Sequence, residues 1–245
     1  MGTAVGEMAA ASEEFEVSDR YDVDRPLPEE KPSSFQPDDV VVDFTLPEVV
    51  LTNIRRYCRW NQPAVIGTTG WYDALATVRE WAAESGGGLL YAPNFSLGVA
   101  LLVRGLRQIA PLIDQLPAYD AYIQEVHHTG KVDSPSGTAL SLAEELMNRV
   151  SRKERIETET QHEAIDPEAL HVTSTRVGTV VGRHTVGFDS AFDTLSLVHE
   201  AKSRDGFAFG ALQAAAWIQG RTGLFTLDHM FDDWMEQAGT SSPQE

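Results

Sequence analysis

The sequence predicts an α/β protein in two parts, a parallel sheet with crossover helices followed by an α+β region on a mixed sheet. Three observations carry this. Over residues 40–94 short apolar runs alternate with helix-period segments, the pattern of parallel strands joined by helices. Residues 172–200 instead show strand alternation with turn residues between and no helical stretch. A length of 245 residues at 42% hydrophobic supplies core for one large domain or two modest ones.

Each element has its own signal. Residues 40–44, Val-Val-Val-Asp-Phe, form a buried strand, and Pro47 suits the first turn of the helix after it. Val49, Val50, Ile54 and Tyr57 recur on one face of that helix through Trp60. Ala64, Val65 and Ile66 make the next strand, ended by Gly67-Thr68-Thr69-Gly70, and residues 73–83 a helix with Leu75, Val78 and Trp81 inward. Leu89, Leu90 and Tyr91 form a third strand, stopped at Pro93. An apolar helix over residues 97–113, punctuated by Pro111, leads into the second region.

There, residues 119–126 form a strand, residues 137–150 a helix opened by Pro135 and Ser136, and residues 152–168 a charged, solvated connection. Residues 172–181 and 184–200 are expected as antiparallel strands with a turn at Asp189-Ser190. A Gly/Ala-rich helix over residues 207–218 follows, and a polar tail begins at Ser241. The acidic, proline-containing stretch 22–39 is a surface loop. The expected domains are residues 1–96 with 207–245, and residues 97–206.

The N-terminus is the anomaly. Residues 1–12 form a helix with Val5, Met8 and Ala9 on one face, and residues 15–21 a strand ending at Asp22. That is the second half of a βαβ unit. In a Rossmann-like, dinucleotide-binding fold the strand before such a helix ends in a glycine-rich turn, and an acid about 20 positions later takes the ribose hydroxyls. Asp22 stands where that acid belongs, while the turn would precede residue 1. Either the natural protein begins further upstream, or the chain lacks the turn and binds cofactor weakly or not at all. The first is preferred, because loss of a central strand exposes two neighbouring strand edges.

Composition narrows the function. Nineteen Lys+Arg against 37 Asp+Glu give a net charge of −18, with no basic block to follow a phosphate backbone or an anionic membrane. Nucleic-acid and membrane partners are not expected. Cys58 is the single cysteine, so no internal disulfide or thiolate zinc site forms, no metal site is expected, and a reducing compartment fits. With no apolar run of ~18 residues and no secretory leader, the expected location is cytoplasmic. Lysine occurs only at 31, 131, 153 and 202. Such an acid-rich, lysine-poor composition suggests a salt-adapted host, or equally a bias without function.

The chemistry concentrates in the run from Glu125 to Ala139, Glu-Val-His-His-Thr-Gly-Lys-Val-Asp-Ser-Pro-Ser-Gly-Thr-Ala. It sets His127, His128 and Lys131 on a loop before a helix whose first amides, at Ser136, Gly137 and Thr138, face an anion. Such a loop binds a carboxylate and donates protons beside it. A His-His pair alone reads more simply as one imidazole inward and the other solvated. Placing one of four lysines next to a Ser-Gly-Thr helix start tips the reading toward chemistry.

This run resembles the signature loop of the dihydrodipicolinate reductases of bacterial lysine and diaminopimelate synthesis. Val42-Asp43-Phe44-Thr45, Gly67-Thr68-Thr69-Gly70, Ala92-Pro93-Asn94-Phe95-Ser96, Arg176-Val177-Gly178 through Gly182-Arg183-His184-Thr185-Val186, and His199-Glu200-Ala201-Lys202-Ser203-Arg204 to Phe207-Ala208 are similar in order and spacing. The likeness covers nearly the whole chain. It implies reduction of a cyclic dicarboxylate to tetrahydrodipicolinate by hydride from NADPH or NADH. It further implies His127 as acid/base, Lys131 as a second proton donor, His128 as a substrate contact, and Gly137 and Thr138 as amides holding a carboxylate. Gly67, Thr68 and Thr69 would line the nicotinamide side, with Ala92, Pro93, Asn94 and Phe95 closing it. Read without the family, Gly67–Gly70 is a strand-to-helix turn with Thr69 as a cap.

The family opens with a strand and a turn ending Arg-Met-Gly, and Met1 falls on that methionine. Asp22 favours NADH by repelling a 2′-phosphate, while Arg20 and Arg25 favour the opposite, so the choice of nucleotide stays open. The resemblance also implies a homotetramer formed through the second sheet. Two alternatives remain: a non-catalytic ligand-binding or assembly subunit that has lost cofactor binding, and a different two-domain dehydrogenase. Retention of His127 and Lys131 argues for catalysis.

Overall fold

The structure, a computed structural model, describes residues 1–240; the expected polar tail from Ser241 lies outside them. In chain order the elements are α1 (Gly2–Ala10), β1 (Val41–Asp43), α2 (Pro47–Trp60), β2 (Ala64–Ile66), α3 (Leu75–Glu84), β3 (Gly88–Tyr91), α4 (Leu97–Asp114), β4 (Asp120–His127), α5 (Gly137–Met147), β5 (Arg155–Glu157), β6 (Ala169–Arg176), β7 (Gly182–Asp189), β8 (Thr194–Ala201), α6 (Asp205–Ile218), β9 (Gly223–Phe225) and α7 (Leu227–Thr240). They fall into two units, Met1–Leu97 with the chain from Asp205 onward, and Gly98–Arg204.

The first unit is a parallel sheet in the order β1-β2-β3-β9. All three residues of β2 are buried, as a central parallel strand covered on both faces requires. Val50, Ile54 and Tyr57 of α2 and Val78 and Ala82 of α3 form one core with Ala64, Ile66 and Leu89 from the strands. Each large aliphatic buried there contributes about 1.5–3 kcal/mol. Pro47 starts α2, where its missing amide costs no helical bond. The helix stops at Asn61, which takes a left-handed φ of 51° so that the amides of Asn61 and Gln62 donate back to Cys58 and Tyr57. Helix α1 buries Val5 and Ala9 and rests on α6.

Residues 15–21 take no regular structure, which corrects the strand expected there. Residues 15–21 exchange no ladder hydrogen bonds with β1, which among the described residues pairs with β2 alone, and so add no strand to the sheet. The segment satisfies itself locally instead. Asp19 accepts from the Arg20 amide at 2.9 Å, the Tyr21 hydroxyl at 2.8 Å and the Arg25 guanidinium at 2.5 Å. Three elements, β5, β9 and α7, occupy residues to which the sequence pattern assigns no element.

The second unit is a five-stranded mixed sheet, β5-β6-β4-β7-β8, parallel across β5, β6 and β4 and antiparallel across β4, β7 and β8. Leu106, Ala110 and Ile113 of α4 and Ala139, Leu142 and Leu146 of α5 bury one face against Ile123, Val172 and Phe188. Two sequence expectations are corrected. First, residues 172–181 are not strand throughout: β6 ends at Arg176 ahead of Gly178 at φ 50° and pairs in parallel with β4, whereas the turn expected at Asp189-Ser190 does join an antiparallel pair, β7 with β8. Second, the connection over residues 152–168 is not simply solvated. It contains β5, and Lys153 is 3% exposed, donating to the Pro167 and Ala169 carbonyls at 2.8 Å each and pairing with Asp120 at 2.6 Å. A charge can be buried there because its donors are used.

Candidate active site

The site grows from the alternation of β4. Its inward positions run Ala121, Ile123, Glu125, His127, so an apolar face turns ionic at the strand's carboxyl end. Strand register sets the neighbours: Glu125 lies beside His184 of β7, and His127 beside Arg176 of β6. Side chains opposite one another on adjacent strands share a face, so four ionisable groups meet over one patch of sheet.

The Glu125 carboxylate is fully buried and every contact is specific. Its Oε1 accepts from Arg176 Nη2 at 2.7 Å and the Ser136 amide at 3.3 Å. Its Oε2 accepts from Arg176 Nη1 at 2.9 Å and is bonded to His127 Nδ1. Burial works to raise the Glu125 carboxyl, but Arg176 and then His127 outweigh it, and the balance lies below the usual carboxylate range. Ser136 caps α5, its Oγ accepting from the Ala139 amide at 3.2 Å, and the same Oγ lies 3.1 Å from His184 Nε2. Burial first, then the positive potential of His127, takes His184 down to about 4, so it is neutral at pH 7.

The loop after β4 is held at both ends. The Val177 amide donates to the His127 carbonyl at 2.9 Å, the Lys131 amide to the His128 carbonyl at 3.1 Å, and Arg176 Nη2 to the Asp133 carbonyl at 2.6 Å. Lys131 Nζ pairs with the Asp133 carboxylate at 2.8 Å and holds it below the usual range. Ser134–Pro135 is cis. His128 and Thr138 are half-buried, and Gly137 is exposed at the first turn of α5. Thus the structure gathers His127, His128, Lys131, Ser136, Gly137 and Thr138 around one strand end and one helix start. Sequence reasoning gave no role to Glu125, Arg176 or His184. The available signal was the two-residue spacing from Glu125 to His127, which places a carboxylate inward beside an imidazole.

The residues expected at the nucleotide lie in the other unit, at the carboxyl ends of β2 and β3. The Gly67 amide donates to the Asp43 carbonyl at 2.8 Å, and the Phe44 ring fills the space a side chain at Gly67 would need. Thr68 Oγ1 donates to the Thr45 carbonyl at 2.9 Å, and Thr69 is exposed. Thr69 does not cap α3, which is entered through a 3-10 turn at Tyr72–Ala74 without a side-chain cap. The Ala92 amide reaches the Ile66 carbonyl at 3.2 Å, joining the two strand ends, and Phe95 meets Phe44 edge-on at 6.0 Å. Pro93 is exposed, and Asn94 Oδ1 accepts from the Ser96 amide at 2.8 Å. Asp22 is engaged elsewhere, its carboxylate taking the amides of Asp24 and Arg25 at 2.9 Å each. Among the described residues no cluster of His, Cys, Asp and Glu could hold a metal ion, and no helix is long and apolar enough to cross a membrane.

A parallel α/β unit with glycine and threonine turns at its strand ends, and a second unit setting two histidines and a lysine before a helix N-terminus, fit the class of two-domain nicotinamide-dependent oxidoreductases. Comparison with known proteins gives the particular kind. Family models described as dihydrodipicolinate reductase, N-terminus, and dihydrodipicolinate reductase, C-terminus, match residues 1–95 and 98–231. The 4-hydroxy-tetrahydrodipicolinate reductase of Christiangramia forsetii is 36% identical over 195 residues, 80% of this chain and 80% of its own. That of Neisseria meningitidis serogroup C is 36% identical over 193 residues, 77% and 71% respectively. A dipicolinate-bound dihydrodipicolinate reductase from Paenisporosarcina sp. TG-14 shares the fold, with a TM-score of 0.73, 22% identity and 92% of both chains covered. The chain belongs to the dihydrodipicolinate reductase family.

Proposed function

We propose that this chain reduces 4-hydroxy-tetrahydrodipicolinate, by way of dihydrodipicolinate, to tetrahydrodipicolinate, in lysine and diaminopimelate synthesis. The observation that carries the reading is the run from His127 to Thr138, which bears two imidazoles and an ammonium ahead of α5, with the carboxylate that holds His127 also taking the Ser136 amide. The name of the relatives and the dicarboxylate in the Paenisporosarcina structure support the same substrate class.

In this reading the Gly137 and Thr138 amides at the positive end of α5, with Ser136, receive one carboxylate of the substrate, and His128 contacts the ring substituents. His127 and Lys131 exchange the proton that completes the reduction. The carboxyl ends of β2 and β3 fit a nucleotide: Gly67, Thr68, Thr69, Ala92, Pro93, Asn94 and Phe95 form adjoining turns at the place where parallel sheets take ligands. Bound there, NADPH or NADH supplies the hydride. Asp22 serves the ribose only if its turn with Asp24 and Arg25 opens. A protein of net charge −18 must draw two anionic ligands, and Lys131, His128 and the α5 amides provide the local counter-field. Residues 1–96 with 207–245 act as the nucleotide domain and residues 97–206 as the substrate domain, assembled as a cytoplasmic homotetramer through the second sheet.

The test is turnover of enzymatically generated substrate by the purified chain, followed as loss of reduced nicotinamide, with NADPH and NADH in parallel. Oxidation that depends on substrate is expected. Substrate binding without oxidation of either nucleotide would support the non-catalytic alternative instead.

A further inference from the structure

We propose that Glu125, clamped by Arg176, is a positioning residue that keeps a proton on Nδ1 of His127 and so presents Nε2 to the substrate. This rests on the reading of His127 as the acid/base.

Donors and acceptors fix the tautomer. An ionised carboxylate only accepts, so the nitrogen bonded to Oε2 of Glu125 must be an N–H. That assigns the His127 proton to Nδ1 and leaves Nε2 as the variable site, an acceptor in the neutral ring and a donor once protonated. Among the described residues nothing hydrogen-bonds Nε2, and the element facing that edge is Gly182, which has no side chain to cover it. The ring is therefore tied at one edge, while at the other Nε2 carries no hydrogen bond among the described residues and lies against a position without a side chain.

Glu125 itself has no freedom to turn. Both oxygens are held by the two terminal nitrogens of Arg176, Oε1 also takes the Ser136 amide, and the carboxylate is wholly buried. A buried ion pair stabilises a fold little, and often less than apolar side chains of the same size would. Stability alone thus gives weak reason for the pair, whereas orientation of an imidazole requires a fixed acceptor. The same guanidinium holds the Asp133 carbonyl, so one side chain sets both the His127 ring and the loop bearing Lys131.

Nitrogen NMR of the unaltered protein, in its neutral-imidazole range, reads the tautomer directly. A proton on Nδ1 with Nε2 bare is expected, and a proton found on Nε2 overturns the proposal without any variant having to fold. Kinetics then separates roles. Glu125→Gln puts an amide donor against Nδ1, and a fall in kcat of about 10²-fold or more at little-changed KM is expected. Glu125→Asp keeps an acceptor and should recover part of that loss. If His127→Gln is inactive while Glu125→Gln turns over at the parental rate, positioning by Glu125 is refuted and the acid/base reading stands. Full activity of His127→Gln refutes both.

Discussion

Gly182 and His127 are in a contact that admits no side chain: a Cβ at Gly182 would lie 2.8 Å from His127 Nε2 and 3.1 Å from Cδ2. Register brings β7 beside β4, and a glycine at this end of β7 keeps the imidazole edge clear. Gly182→Ala is expected to lower kcat at least ~10-fold, because the ring must leave its place between Gly182 and Glu125, while overpacking costs only about 1–3 kcal/mol of stability. Steady-state kinetics with a urea melt checks it; an alanine variant as active as the parent would mean that the ring tolerates displacement.

Lys131→Ala should fold normally, since among the described residues its ammonium pairs with Asp133 alone, an exposed carboxylate of the loop. Turnover should fall about 10²–10⁴-fold, the usual worth of a positioned proton donor. A rate unchanged in kcat removes Lys131 from the mechanism.

His184 makes stability depend on pH. Its folded value of about 4 lies below the ordinary 6.5, so as pH falls the unfolded chain takes up this proton first. Stability from this group is complete above about pH 6.5 and is lost between there and about pH 4, by roughly 3 kcal/mol at most. The difference between urea midpoints at pH 7 and pH 5 should shrink in His184→Gln relative to the parent.

Asp43 is a buried carboxylate served by neutral donors. It accepts from the Thr45 amide at 2.8 Å, Thr45 Oγ1 at 2.6 Å, Tyr57 Oη at 2.8 Å and Asn53 Nδ2 at 3.3 Å. Thr45 in turn holds Thr68, so the carboxylate braces the turn proposed for the nucleotide. Asp43→Asn replaces an acceptor with a donor among donors and should cost about 1–3 kcal/mol. Nucleotide affinity, measured by nicotinamide fluorescence, should weaken with it; an Asp43→Asn chain binding as tightly as the parent would free the Thr68 turn from this dependence.

The local elements are legible because each satisfies most of its bonds and its burial within a short stretch. Strands β2 and β3 and helices α2 and α5 announce themselves through apolar period, Pro47 and Ser136. The strand expected at residues 15–21 fails because strand propensity is a weak local preference, and the polar groups around Asp19 are taken up by Arg20, Tyr21 and Arg25 instead. Strand β9 is three residues of intermediate burial, too short for any period, and exists because β3 offers it an edge.

By itself the sequence determined the two-part α/β architecture and the loop carrying His127, His128 and Lys131, since hydropathy period and residue chemistry are local properties. Only the tertiary structure decided that Glu125, His127, Arg176 and His184 form one cluster. Arg176 stands 51 residues from Glu125 and His184 stands 48 from Ser136, distances in sequence that carry no periodic signal. Strand order and register close them, because a parallel β6 and an antiparallel β7 flank the same strand and a side chain's face is fixed by its parity along it.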